Sequence, residues 1–219
     1  MKILHLIYSA QVAGAEKYLL NLLPGLHPEG VECDLLCVSP EKHKHKFIDF
    51  CNELNKKGVK TNLITGNKFR FLSIARYISR YLKNNNITYL HSHLFKSDLL
   101  AVMVKKIFNK KVFLISTKHG YQEKYLSNYP VNKKRIIYNA YYLISKYLAR
   151  NINEHVTISQ AMSDLYVNLQ IIPRRIKYIY HGIDVTVPVS TNDSKEFRIA
   201  RSQLIIVGRV EEIKGHKYL

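Results

Sequence analysis

The chain has 219 residues, room for one large domain or one domain plus a fragment. Its 47% hydrophobic content excludes an intrinsically disordered chain, and no apolar run approaches the ~20 residues that cross a bilayer. Lys and Arg total 34 against 16 acidic residues, and the net charge of +18 predicts an anionic partner (nucleic acid, acidic lipid or a phosphorylated substrate) without choosing among them.

The first apolar run, Lys2–Tyr8, is too short for a signal peptide and no small-residue cleavage site follows it, so it reads as a buried first strand. A helix is predicted over Ala15–Leu26 and a strand over Glu32–Val38. That strand carries Cys33 and Cys37, which together with Cys51 read as buried reduced thiols rather than a metal set. Helix His45–Lys56, strand Val59–Ile64, helix Leu72–Asn84 and strand Thr88–His91 follow. Next come helix Ser97–Phe108, strand Lys111–Ser116, helix Lys133–Asn151, strand His155–Ile158, helix Gln160–Leu169 and strand Ile176–Tyr180. Strands that are apolar on both faces and alternate with helices predict a parallel sheet covered on both sides. The fold class is therefore α/β, a Rossmann-like doubly wound parallel sheet.

The pattern changes over 185–201, where Pro188, Thr191, Asn192, Asp193 and Ser194 interrupt the apolar period and read as a linker. A new apolar run, Gln203–Val207, follows, and the sequence ends at Leu219. The expected organisation is a domain over 1–184, a linker over 185–201 and the start of an incomplete second domain over 202–219. One strand and a loop cannot bury a core of their own.

Ligands bind such sheets at the carboxyl ends of the strands, so the chemistry is sought there. After the first strand, Val12-Ala13-Gly14-Ala15-Glu16 opens a helix, and Gly14 lets backbone N–H groups face an anion. The fourth strand ends in His91-Ser92-His93, whose two imidazoles share one face by alternation. They read either as buried hydrogen-bonded histidines or as substrate contacts. Metal binding by the pair is not expected, because no carboxylate or cysteine motif accompanies it. The fifth strand ends at Thr117-Lys118-His119-Gly120, and a histidine there can bond a hydroxyl or a phosphate. Ser159 is placed to cap a helix, and Ile179–Asp184 to make a tight turn. Beyond the last strand, Gly208-Arg209 and Lys214-Gly215 put an Arg fork and a compact Lys charge within reach of one diphosphate, or form a basic turn on a basic protein.

Taken in order, these segments resemble the retaining glycosyltransferases of family 4, which have the GT-B fold. Gly208–Gly215 is similar to the family's G-R-x-x-x-x-K-G signature, and Ala13–Glu16 to its G-G-x-E turn with Ala13 in place of the first glycine. His91–His93, His119-Gly120 and Ile179–Asp184 resemble further family segments, with His181 in place of the commoner Asn. The resemblance implies a nucleotide-sugar donor and a glycan or lipid-linked acceptor in cell-surface polysaccharide synthesis, with no cofactor and no metal. It makes Gly14, Arg209 and Lys214 donor-phosphate contacts, Glu16 and His93 acceptor or substrate contacts, and His119 the residue at the reaction centre. The family's base and ribose contacts, including a pair of Glu residues, lie beyond this sequence, so the chain by itself is expected to be inactive.

Eleven Lys or Arg and one acid, Glu123, lie between Lys105 and Arg150, and the helices there and at Leu72–Lys83 are rich in aromatic residues. That composition suits an anionic membrane surface and a cytoplasmic protein peripheral to it. A truncated, non-catalytic module that binds acceptor or membrane is the competing expectation. Nucleic acid is not an expected partner, since the basic residues follow no binding motif.

Overall fold

A computed structural model describes residues 1–65, 70–120, 140–172 and 176–182, all within the first of two units, Met1–Asp184. The second unit, Val185–Leu219, holds the expected linker and late strand, which lie outside the described residues.

Seven parallel strands form one sheet in the order β3-β2-β1-β4-β5-β6-β7. They are β1 Lys2–Tyr8, β2 Glu32–Ser39, β3 Lys60–Thr65, β4 Tyr89–His93, β5 Phe113–Lys118, β6 Glu154–Thr157 and β7 Ile176–Tyr178. The α-helices among the described residues are α1 Gly14–Leu26, α2 Lys44–Lys56, α3 Phe71–Asn84, α4 Phe95–Met103, α5 Ala140–Asn151 and α6 Gln160–Asn168. The expected doubly wound α/β architecture is the one observed.

The strand sequences explain the layering. Every residue of β1 beyond Lys2 is buried, so the strand needs a helical layer on each face. On one face Leu4, Leu6, Leu36, Leu90 and Leu114 pack against Ile74, Ile78 and Leu82 of α3 and Leu100 of α4. On the other, Ile7, Leu35 and Cys37 pack against Leu19 and Leu23 of α1 and Phe47, Phe50 and Leu54 of α2. The three cysteines are free and buried.

Element ends differ from expectation where polar residues sit in strands. β4 runs on through Ser92 and His93, and β5 through Thr117 and Lys118, because each continues the parallel ladder (Ser92 opposite Ser116, His93 opposite Thr117). Local composition carries no trace of that pairing. The helix expected over Ser97–Phe108 begins earlier, at Phe95, and finishes as a π-helical segment over Val104–Phe108. Of the helix expected over 133–151, only Ala140–Asn151 lies within the described residues.

Candidate functional site

The sheet reverses its winding between β1 and β4, which are hydrogen-bonded neighbours although two strands and three helices lie between them in the chain. The crevice outside the carboxyl ends of such a pair is where doubly wound sheets bind ligands. In the β1–β4 register His5 lies opposite His91, and Ile7 opposite His93. The side chains of His5, His91 and His93 therefore project from one face of the sheet, the face that α1 covers.

The histidines form a file along that face. His5 Nδ1 lies 3.1 Å from His93 Nε2, and His93 Nδ1 lies 3.1 Å from His119 Nε2. His91 stacks on His93 with ring centroids 4.4 Å apart, and its Nε2 lies 2.8 Å from Thr117 Oγ1. Tyr18, from α1, closes the outer end: its ring stacks on His181 at 4.2 Å and meets His119 edge-on at 5.3 Å. His181 follows β7, and its imidazole packs into this cluster.

Burial sets the electrostatics. Loss of water around the rings holds His5 and His119 down at about 3, and pushes His91 and His93 well below the usual histidine value. Neighbouring imidazoles add to the effect, since a second positive charge in the file would repel the first. The file is neutral at physiological pH, and each ring has one N–H and one lone pair to place. The nitrogens His5 Nε2, His119 Nδ1 and His181 Nε2 are shielded from water with no hydrogen-bond partner among the described residues. Unsatisfied buried polar atoms are rare and mark a place that needs an explanation.

Two backbone features flank the file. The turn after β1 enters α1 with Ala13 at φ −135°, an extended conformation that any residue adopts, so the replaced glycine leaves no strain. Glu16 Oε2 accepts a hydrogen bond from the Ala13 N–H at 2.8 Å, half of a capping box, while Oε1 is buried and unpartnered among the described residues. A Cβ at Gly14 would meet nothing within 4 Å, so packing among the described residues does not demand a glycine there. After β4, Leu94 adopts φ +73° and ψ +157°, a region almost confined to glycine. That strained residue directly follows His93.

The opposite face of β4 and β5 carries a second polar cluster. Asp98 of α4 accepts hydrogen bonds from Ser92 Oγ at 2.6 Å and Ser116 Oγ at 2.7 Å, and its other oxygen pairs with Lys118 Nζ. All four residues are buried, and every side-chain oxygen and nitrogen in the group has a partner.

Among the residues singled out from sequence, His93 and His119 come together, and Gly14 and Glu16 sit at the turn that leads into α1. Arg209 and Lys214 lie outside the described residues. His93, expected to contact substrate, is fully buried, and both its nitrogens face other imidazoles. Ser159 does cap α6, with its Oγ accepting from the Met162 N–H at 3.2 Å. Sequence reasoning passed over His5 and Tyr18, and gave His181 only a place in a turn. The available signal was His5 itself, a polar residue at a core position of an otherwise apolar strand.

The Glycosyltransferase Family 4 domain pattern matches residues 12–187. The chain belongs to that family. Among solved structures it is similar to HepE of Anabaena in complex with UDP and glucose, at 16% identity and a TM-score of 0.61, covering 84% of this chain and 45% of that one. It is also similar to the apo form of the lipopolysaccharide outer core galactosyltransferase WaaB, at 15% identity and a TM-score of 0.58, covering 84% and 47%. A third likeness, to UDP-GlcNAc 2-epimerase from Neisseria meningitidis bound to UDP-GlcNAc, has 11% identity and a TM-score of 0.51, covering 81% and 46%. The chain thus spans less than half the length of each, and the fold is that of the N-terminal half of GT-B glycosyltransferases. No curated protein sequence matches it.

Proposed function

We propose that this protein transfers a sugar, with retention, from a nucleotide-sugar donor to a glycan or lipid-linked acceptor in cell-surface polysaccharide synthesis. The family match across residues 12–187 carries the reading, because it spans the strand ends at which His93, His119 and His181 gather. HepE in complex with UDP and WaaB as a galactosyltransferase support a nucleotide-sugar donor and an envelope glycan. The epimerase likeness shows that fold alone does not select the reaction.

In this reading His119, at the end of β5, contacts the transferred sugar. Gly14 and the N-terminus of α1 offer backbone N–H groups to the donor phosphates, joined by Arg209 and Lys214, and Glu16 faces the acceptor. Those cationic groups and oriented amides take over charge neutralisation without a metal. The test is transfer from a panel of nucleotide sugars to membrane-extracted acceptors, with the product anomer read by NMR. Transfer from one donor class with the donor's anomeric configuration is expected. An inverted product would overturn retention.

A second reading has its own observation. On α5, Leu143, Ile144 and Tyr147 are exposed beside Lys146 and Arg150, an apolar stripe edged by cations that suits an anionic membrane surface. No helix among the described residues is long and apolar enough to span a membrane. Sedimentation with anionic and neutral vesicles tests this reading. Binding to the anionic vesicles with no transfer from any donor favours a non-catalytic module, and equal partition to both overturns the membrane reading.

A further inference from the structure

The histidine file has a direction, and the direction fixes what His119 offers to a ligand. In both of its N···N contacts the ring centroids lie 5.4 Å apart and the nitrogens 3.1 Å apart. The difference leaves room only for the two ring radii, so the facing nitrogens lie close to the line between the ring centres. Each contact is thus an in-line N–H···N hydrogen bond, made by one proton and one lone pair.

His93 takes part in both bonds, one through each nitrogen. A neutral imidazole has one proton, so His93 donates on one side and accepts on the other. Only two arrangements of the three rings satisfy both contacts. Pointing outward, His5 Nδ1–H donates to His93 Nε2, and His93 Nδ1–H donates to His119 Nε2. His119 then carries its proton on Nδ1. Pointing inward, every bond reverses, and the spare N–H falls on His5 Nε2.

The two ends are unequal. His5 is 1% exposed in the middle of the sheet, and its Nε2 has no acceptor among the described residues. An N–H there would be buried without a partner and beyond the reach of any ligand, and orphaned donors are the rarer and costlier defect. His119 Nδ1 is shielded as well, but the residue is only partly buried at the strand end, next to exposed Gly120, and its ring lies 5.5 Å, centre to centre, from that of His181, which has a nitrogen unpartnered among the described residues. A proton on His119 Nδ1 therefore lies at the carboxyl end of the strands, where doubly wound sheets bind ligands, while one on His5 Nε2 lies in mid-sheet.

We propose that the His5–His93–His119 file locks His119 as its Nδ1–H tautomer, so that His119 serves as a neutral hydrogen-bond donor to a substrate oxygen and not as a general base. His5 and His93 are positioning residues, which act on the ligand only through His119. The role assigned to the donated bond rests on the glycosyltransferase reading; the tautomer does not. A metal held by His5, His91 and His93, whose ligand atoms all lie within 4.8 Å of one another, is the competing use of the same rings. The in-line bonds aim the lone pairs at neighbouring rings instead of at one shared point.

Long-range ¹H–¹⁵N correlation spectra of the histidine-labelled protein at pH 7 test the assignment. His5, His93 and His119 are each expected to show a pyrrole-type Nδ1 and a pyridine-type Nε2. His5→Phe removes the proton that orients the file, and the His119 pattern is expected to shift toward an average of both tautomers. His5→Asn, which restores a donor, is expected to bring it back. A purely structural role for His5 would leave the His119 signals in place. The proposal is overturned by an Nε2–H or doubly protonated His119 in the unsubstituted protein, a measurement that needs no variant to fold. Stoichiometric Zn²⁺ uptake that shifts His5, His91 and His93 together would also overturn it. Failure of sugar transfer with the tautomers as stated would leave this inference standing and sink the function instead.

Discussion

The two faces of β4 and β5 bury polar side chains in different ways. Toward α4, Ser92, Ser116, Lys118 and Asp98 form a closed set in which each polar atom has a partner. Toward α1, His5, His93, His119 and His181 are joined to one another or packed together, yet three nitrogens are left without partners among the described residues. A saturated network has nothing left to offer a ligand and holds β4, β5 and α4 together. An unsaturated one keeps its bonding capacity for something that arrives. The difference is between a polar set that is complete as it stands and one that still has bonding capacity among the described residues.

Acid should separate the faces most strongly. His5, His93 and His119 of the file have proton affinities pushed below the usual 6.5 by burial, so the unfolded chain takes up their protons first. Their contribution to stability is whole above pH 6.5 and declines as pH falls below it. Each such group weakens the fold by about 1.4 kcal/mol per pH unit, so the three together should cost about 6 kcal/mol by pH 5. Urea midpoints measured from pH 7.5 to 5 check this, and a flat profile would mean that the file is not buried and neutral.

Next in size is the closed network. Asp98→Ala leaves the Lys118 ammonium buried without its partner and should destabilise the fold by roughly 3–5 kcal/mol. His119→Ala, on the open face, gives up a single neutral hydrogen bond and should cost about 1 kcal/mol. Chemical denaturation of both variants at pH 7.5 reads the contrast, and equal losses would break the comparison. His119→Ala should nonetheless remove most transfer activity if the proposed function holds.

The smallest effect concerns the junction between β4 and α4. Leu94→Ala and Leu94→Gly lose the same partial packing against the α1–α2 face, but only glycine relieves the positive φ. The glycine variant should be the more stable of the two by about 1 kcal/mol, reversing the usual preference for alanine. Thermal melts of the pair decide it, and the opposite order would mean that the backbone relaxes out of this conformation.

Much of this architecture was legible in the residues. β1 matched its expected range, since Lys2–Tyr8 is apolar on both faces and bounded by polar residues. Expected strand and helix types recurred in order throughout the described residues because their apolar periods are local. The search for chemistry at the strand ends rested on the same parallel-sheet inference, and it found His93 and His119. Strand ends were less legible at Ser92–His93 and Thr117–Lys118, where polar residues continue a strand only because a neighbouring strand accepts them.

By itself the sequence determined the alternation of strands and helices, the two-sided core and the positions of chemistry-bearing residues along the chain. These follow from periodicity and capping, which act over a few neighbouring residues. The tertiary structure alone decided that His5 bonds to His93, 88 positions away, that Tyr18 and His181 close the file, and that Asp98 meets Lys118 on the far face. The reason is register. Parallel strands joined by long crossovers bring distant residues into contact, and a shift of one residue in their pairing would send every one of these side chains to the opposite face.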